Sequence, residues 1–139
     1  IDQDPKQVDR RAFALDVAKT MLAHQSGPDR GDAMGGLAPP GQSFPSGMPT
    51  ASLGEGLASI AGMARRRALP QARELRDAAR HAAAFALRHQ YSARNAWYLP
   101  NPERARGAFR SVLTGSKVRI DGVQHNIELL LLVEKLLRE

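Results

Sequence analysis

Glu55 is the side chain in this sequence best placed for acid–base work. It stands in the small-residue stretch Leu53-Gly54-Glu55-Gly56-Leu57, where an uncrowded carboxylate can serve a bound group as general acid or base. A structural assignment competes: Ser52 and Glu55 have the S-x-x-E spacing of a capping box, in which the carboxylate only bonds the Ser52 amide. Asp121 and His125 form a second candidate. Four residues apart, they share one face of a helix, so the carboxylate can orient the imidazole for proton transfer. The competing assignment makes Asp121 the N-cap, with Gln124 completing the box. Glu55, Asp121 and His125 are therefore the expected catalytic set. Trp97 and Tyr98 offer faces on which a sugar ring can stack, with Asn101 and Arg104 as polar groups at the rim. Phe44, in the loop before Glu55, is counted with these substrate contacts.

Other chemistries lack their residues. The chain has no Cys, which removes thiolate catalysis, disulfides and thiolate zinc sites. His24, His81 and His89 are scattered without the i, i+4 pairing of a metal-binding helix, so no metal is expected. The loop Gly35-Gly36-Leu37-Ala38-Pro39-Pro40-Gly41 lacks the Lys-Ser/Thr of a phosphate cradle, and Ser43 and Ser46 lack a nucleophile elbow. No cofactor is expected.

The elements that must position these residues are helices. Ala and Leu dominate the apolar share of 42%, and aromatics are only 5%, a helical palette. Val8, Ala12, Leu15, Ala18 or Lys19, and Leu22 recur at helical spacing over about residues 5–24, with Phe13 and Val17 widening the stripe, and Ser26-Gly27-Pro28 ends it. Residues 25–49 are rich in Gly, Pro and Ser. Phe44 and Met48 read as apolar anchors, so this is expected to be a long structured loop. A second helix is expected from Thr50 to Arg67. Its interior glycines, Gly54, Gly56 and Gly62, each cost about 1 kcal/mol relative to Ala and imply a close neighbour, either a helix or a ligand. Pro70 opens a third helix running to about Gln90, and Asn101-Pro102-Glu103 a fourth that ends near Leu113. Val118 to Ile120 suits a short extended piece. The last helix then runs from Asp121 with an unusually apolar body, Leu129 to Val133 at its centre, and needs partners on several sides.

The 139 residues carry a net charge of +6, with 16 Arg against 4 Lys, which favours anionic partners. Arg65-Arg66-Arg67 reads first as a cationic last turn under a helix C-terminus. No nucleic-acid reader motif accompanies it, so nucleic acid ranks last among partners. The longest apolar run is far short of a membrane span, so none is expected. The absence of Cys and of a leader pattern favours a soluble protein of the cytoplasm.

Leu22-Ala23-His24-Gln25 and Leu87-Arg88-His89-Gln90 end two helices alike. After each comes a turn-rich connection and then a capped apolar helix, and aligning Ala51 with Asp121 sets Glu55 opposite His125. The fold class expected is all-α, one domain of two stacked helical hairpins, about 5–67 and about 70–139, plus an extra helix. The segment Phe44-Pro45-Ser46-Gly47-Met48-Pro49-Thr50-Ala51-Ser52-Leu53-Gly54-Glu55-Gly56-Leu57, with Gly107-Ala108-Phe109-Arg110 and Arg119-Ile120-Asp121-Gly122-Val123-Gln124-His125, resembles the carboxy-terminal hairpins of α/α-toroid proteins. These are the six-hairpin and terpenoid-cyclase-like folds, among them epimerases, lyases and hydrolases of polysaccharides. The resemblance implies the C-terminal part of a longer chain, a cavity faced by the starts of the inner helices, and action on a carbohydrate or related anionic polymer. The rest of the toroid or another protein chain would be its partner. The alternative function is a non-catalytic helical subunit that docks in a larger assembly.

Overall fold

The computed structural model describes residues 5–138. Among them lie five α-helices, α1 (Pro5–Ala23), α2 (Gly47–Arg66), α3 (Ala72–Arg88), α4 (Pro102–Ala105) and α5 (Ile120–Arg138), and a 3-10 helix, Pro28–Ala33. The protein is all-α, with no strand among the described residues and only two isolated antiparallel bridges, Gln25 to Leu37 and Gln90 to Phe109. No helix among the described residues is long and apolar enough to cross a membrane.

Helix α2 is the hub. It packs on α3, α5 and α1, and alanines at Ala51, Ala58, Ala61 and Ala64 bury its inward faces. Such small side chains let helix axes approach closely, and α3 answers with buried Ala79, Ala82, Ala83 and Ala86. The interior glycines mark helix packing. A carbon added at Gly54 would meet Leu129 Cδ2 at 3.0 Å and Ala82 Cβ at 3.1 Å, and one at Gly56 would meet Met21 Cε at 3.5 Å. A tight turn through Ala68, whose φ is +51°, sends α3 back antiparallel to α2. There the Leu69 amide donates to the Ala64 carbonyl at 2.9 Å.

Helix α5 runs parallel to α2. Its start lies beside the start of α2, where Gly122 faces Met48, and its end beside the end, where Leu136 faces Gly62. The first turns of the two helices therefore share one end of the molecule.

The two hairpins repeat in their backbone hydrogen bonds as well as in their sequence. After α1, Ser26 donates to Gly36 and Gly35 to Ser26; after α3, Tyr91 donates to Ala108 and Gly107 to Tyr91. Ala38 donates to His24 and Arg110 to His89, both at 3.2 Å. Gln25 Nε2 donates to the Gly35 carbonyl at 3.0 Å and Gln90 Nε2 to the Gly107 carbonyl at 2.9 Å. Gly35 and Gly107 both take positive φ, 81° and 86°. The recurring His-Gln pair thus closes the same backbone loop twice.

Several local expectations are corrected. Helix α2 starts at Gly47 with Ser46 as N-cap residue, so Ser52 lies inside the helix, its hydroxyl bonded back to the Met48 and Pro49 carbonyls, and no capping box forms. The fourth helix is one turn. Gly107 at φ +86° leaves helical space, and residues 106–119 are irregular, with no extended strand at Val118. The loop over residues 25–49 is ordered by buried Leu37, Ala38 and Pro45, whereas Phe44 is 64% exposed. Thr50 pins that loop to α2, accepting from the Leu37 amide at 2.9 Å. Phe13, placed in the α1 stripe, points to solvent.

His89, in the second His-Gln pair, has a pKa lowered from 6.5, first by burial and then by Arg110 and Arg88. Because the folded chain takes this proton less readily than the unfolded chain, the stability His89 lends is complete above about pH 6.5 and is lost as pH falls through the lower folded value. Urea midpoints taken from about pH 7.5 down to 5.5 are expected to fall more steeply for the wild type than for His89→Gln; parallel falls would show that His89 does not contribute.

Candidate functional site

The parallel pairing of α2 and α5 brings Glu55 and His125 together. His125 Nδ1 donates to Glu55 Oε2 at 2.8 Å, with the side chains 35% and 27% exposed. Since an ionised carboxylate only accepts, the contact places a proton on Nδ1, and in the neutral form of the ring the lone pair is then on Nε2. Among the described residues Nδ1 to Glu55 is the hydrogen bond that His125 makes. Carboxylate, oriented imidazole and open ring nitrogen form a compact proton-transfer arrangement.

The arrangement holds because each helix has little freedom at this level. Gly54, the residue before Glu55, lets Leu129 sit against the α2 backbone, and Leu129, one turn after His125, is fully buried. On α5, Asn126 is also buried, and its Nδ2 donates to the Gly122 carbonyl at 2.7 Å.

Asp121 takes a different partner from the one expected. Its two oxygens accept from Arg119, at 3.0 Å from Nε and 2.6 Å from Nη2, and Oδ1 also accepts from the Gly122 amide at 2.9 Å. These bonds, that from Arg119 foremost, lower the Asp121 pKa below the usual carboxylate value. Asp121 is neither the orienting partner of His125 nor the residue before the helix, since α5 already begins at Ile120. Helix starts align Gly47 with Ile120, so the repeat-related counterpart of Glu55 is Glu128; Glu55 and His125 are neighbours across the seam.

The aromatic residues build a separate feature on the connection after α3. Tyr91 is fully buried, its hydroxyl 3.5 Å from that of Tyr98. Burial first, then Tyr98, raises its pKa to about 12. The Arg110 guanidinium lies 5.0 Å from the Tyr91 ring centre and 6.0 Å from that of Tyr98, a cation–π arrangement. Trp97 caps the stack edge-on to Tyr98, with ring centres 5.7 Å apart, and is 76% exposed. Asn101 and Arg104 are exposed nearby in sequence, and Asn101 makes no side-chain cap. No hydrogen bond or ring contact among the described residues links Trp97, Tyr98, Asn101, Arg104 or Phe44 to Glu55 or His125. Tyr91 and Arg110 were missed as members of this group; the signal was available, because Tyr91 directly follows the repeated His-Gln.

Comparison with known proteins yields no relative. No protein family, curated protein or solved structure matches this chain. Among the described residues no group of three or more His, Asp or Glu gathers in a way that could hold a metal ion.

Proposed function

We propose that this chain contributes to an α/α-toroid cavity enzyme acting on a carbohydrate or related anionic polymer, with the Glu55–His125 pair as its proton-transfer site. The observation that carries the reading is the 2.8 Å bond from His125 Nδ1 to Glu55 Oε2. Glu55 holds the ring in one tautomer and one orientation; Nε2 takes a proton from the substrate and returns it to a leaving or rebuilt centre. The toroid reading is supported by the repeated hairpin and by two parallel helices with their starting turns at one end. The exposed Trp97 and Tyr98 support a sugar ligand, and the charge of +6 an anionic one.

The test is proton exchange. With a polyuronate in deuterated water, the wild-type chain is expected to incorporate solvent deuterium or release new reducing ends. His125→Ala should lower that rate by about 10²- to 10⁴-fold, and Glu55→Gln by a smaller factor because an amide oxygen still accepts from Nδ1. A wild-type chain inert on polyuronates and neutral polysaccharides, or variants as active as the wild type, would sink the proposal. A docking role is the second reading, favoured by the exposed apolar residues of α5, Ile127 and Leu131.

A further inference from the structure

The internal repeat says what fits the open face of α5. On α2, Gly54 meets Ala82 of α3, and Ala58, Ala61 and Ala64, at i+4, i+7 and i+10 from it, continue a buried row along the helix, with Ala58 also facing Leu132 and Leu136 of α5. With the helix starts Gly47 and Ile120 superposed, those positions become Ile127, Leu131, Glu134 and Leu137. All four are exposed, Ile127 at 48%, Leu131 at 59% and Leu137 at 57%. Helix α5 thus presents the equivalent row with larger side chains, and no helix of the described residues covers it.

The counterpart of α3 in the repeat is α1, because both end in the matched His-Gln pair. Gly54 meets Ala82, and the antiparallel run brings Ala58 level with Ala78 and Ala61 level with Leu75. The α1 residues equivalent to Ala82, Ala78 and Leu75 are Val17, Phe13 and Arg10. Phe13 is 71% exposed, Arg10 is exposed and Val17 half-buried. Beside Val17 a mostly apolar cleft of about 230 Å³ opens between α1, α2 and the loop, lined by Met21, Leu53, Ala38 and Pro40. Among the described residues the outer faces of α5 and α1 both lie open, and in this register they pair Ile127 with Val17, Leu131 with Phe13, and Arg10 with Glu134, which also accepts from Arg138 within the chain.

We propose that the chain associates head to tail with a second copy of itself, α5 of one copy covering α1 of the next in the antiparallel register in which α2 pairs with α3, at the wider spacing that Ile127, Leu131, Phe13 and Val17 require. The contact is heterologous, so it adds copies until the rotation closes a ring or continues as a filament. The inference is independent of the chemistry at Glu55 and His125.

Sedimentation velocity on the full chain over a wide concentration range tests this. The wild type is expected to grow beyond a monomer as concentration rises. Leu131→Glu and Phe13→Glu replace exposed side chains, so both should keep the wild-type circular dichroism, and each alone should weaken association by on the order of 30-fold or more. Mixed in equal amounts, the two should form a discrete dimer, because the intact α5 of Phe13→Glu meets the intact α1 of Leu131→Glu. A wild type that stays monomeric overturns the proposal. So does association that survives either substitution, or a mixture that forms no dimer.

Discussion

Gly35→Ala is expected to destabilise the fold by about 2–5 kcal/mol, and Gly107→Ala by only about 1–2 kcal/mol, although the two glycines are equivalent members of the repeat. Both sit at positive φ, 81° and 86°, where an L side chain costs roughly 1–2 kcal/mol. Their surroundings differ. A carbon on Gly35 would lie 2.3 Å from the backbone oxygen of His81 on α3, whereas one on Gly107 meets nothing within 4 Å. Backbone in the middle of a packed helix cannot swing aside as a side chain can, so Gly35→Ala adds an overpacking cost of about 1–3 kcal/mol. Against a typical total of about 5–15 kcal/mol, that is a large share. Urea midpoints of the two variants, read at constant slope, check the contrast; equal losses would mean that the turn at Gly35 moves off α3 freely.

This pair shows which parts of the fold could be read without coordinates. The helical spacing of Leu15, Ala18 and Leu22, the stop at Ser26-Gly27-Pro28 and the repeated His-Gln are local signals, and α1 and α3 formed where those signals lay. The hydrogen bonds of the repeat explain why His-Gln recurs: Gln25 and Gln90 each reach across to a glycine carbonyl. Glycines at Gly54 and Gly56 indicated close approach, but spacing alone does not separate a ligand from Leu129, Ala82 and Met21.

Choices among partners were less legible. Ser52 and Glu55 carry a capping spacing, yet capping depends on where the helix begins, and α2 begins five residues before Ser52. Freed from the Ser52 amide, Glu55 is set against a residue 70 positions away, a contact that only tertiary packing creates. Asp121 had two local partners within reach, His125 one turn on and Arg119 two residues back. The bidentate guanidinium makes two charge-assisted bonds where an imidazole offers one, so Arg119 wins. Phe44 was read as an anchor from its hydrophobicity, but Leu37 and Pro45 had already filled the space between the loop and the helices.

The leucines of α5 supply the second large effect, and one on which the proposed site depends. Leu129→Ala is expected to cost about 2–5 kcal/mol, while Leu131→Ala, two positions on, stays within about 0.5 kcal/mol. Leu129 is fully buried and rests on the α2 backbone at Gly54, next to Ala82 of α3. Truncating it opens a void at the junction of three helices, where alanines and a glycine leave no long side chain free to fill the gap. Leu131 is 59% exposed, so its loss forms no cavity. Thermal unfolding followed by circular dichroism at a low, monomeric concentration separates the two without interference from association. The void also lies one turn from His125 and one residue from Glu55, so the seam that holds them 2.8 Å apart loses its nearest brace. Leu129→Ala should therefore reduce any proton transfer at Nε2 even at temperatures where the chain stays folded. Unchanged turnover in a folded Leu129→Ala would mean that the dyad is held by its own hydrogen bond rather than by the packing of α5 on α2.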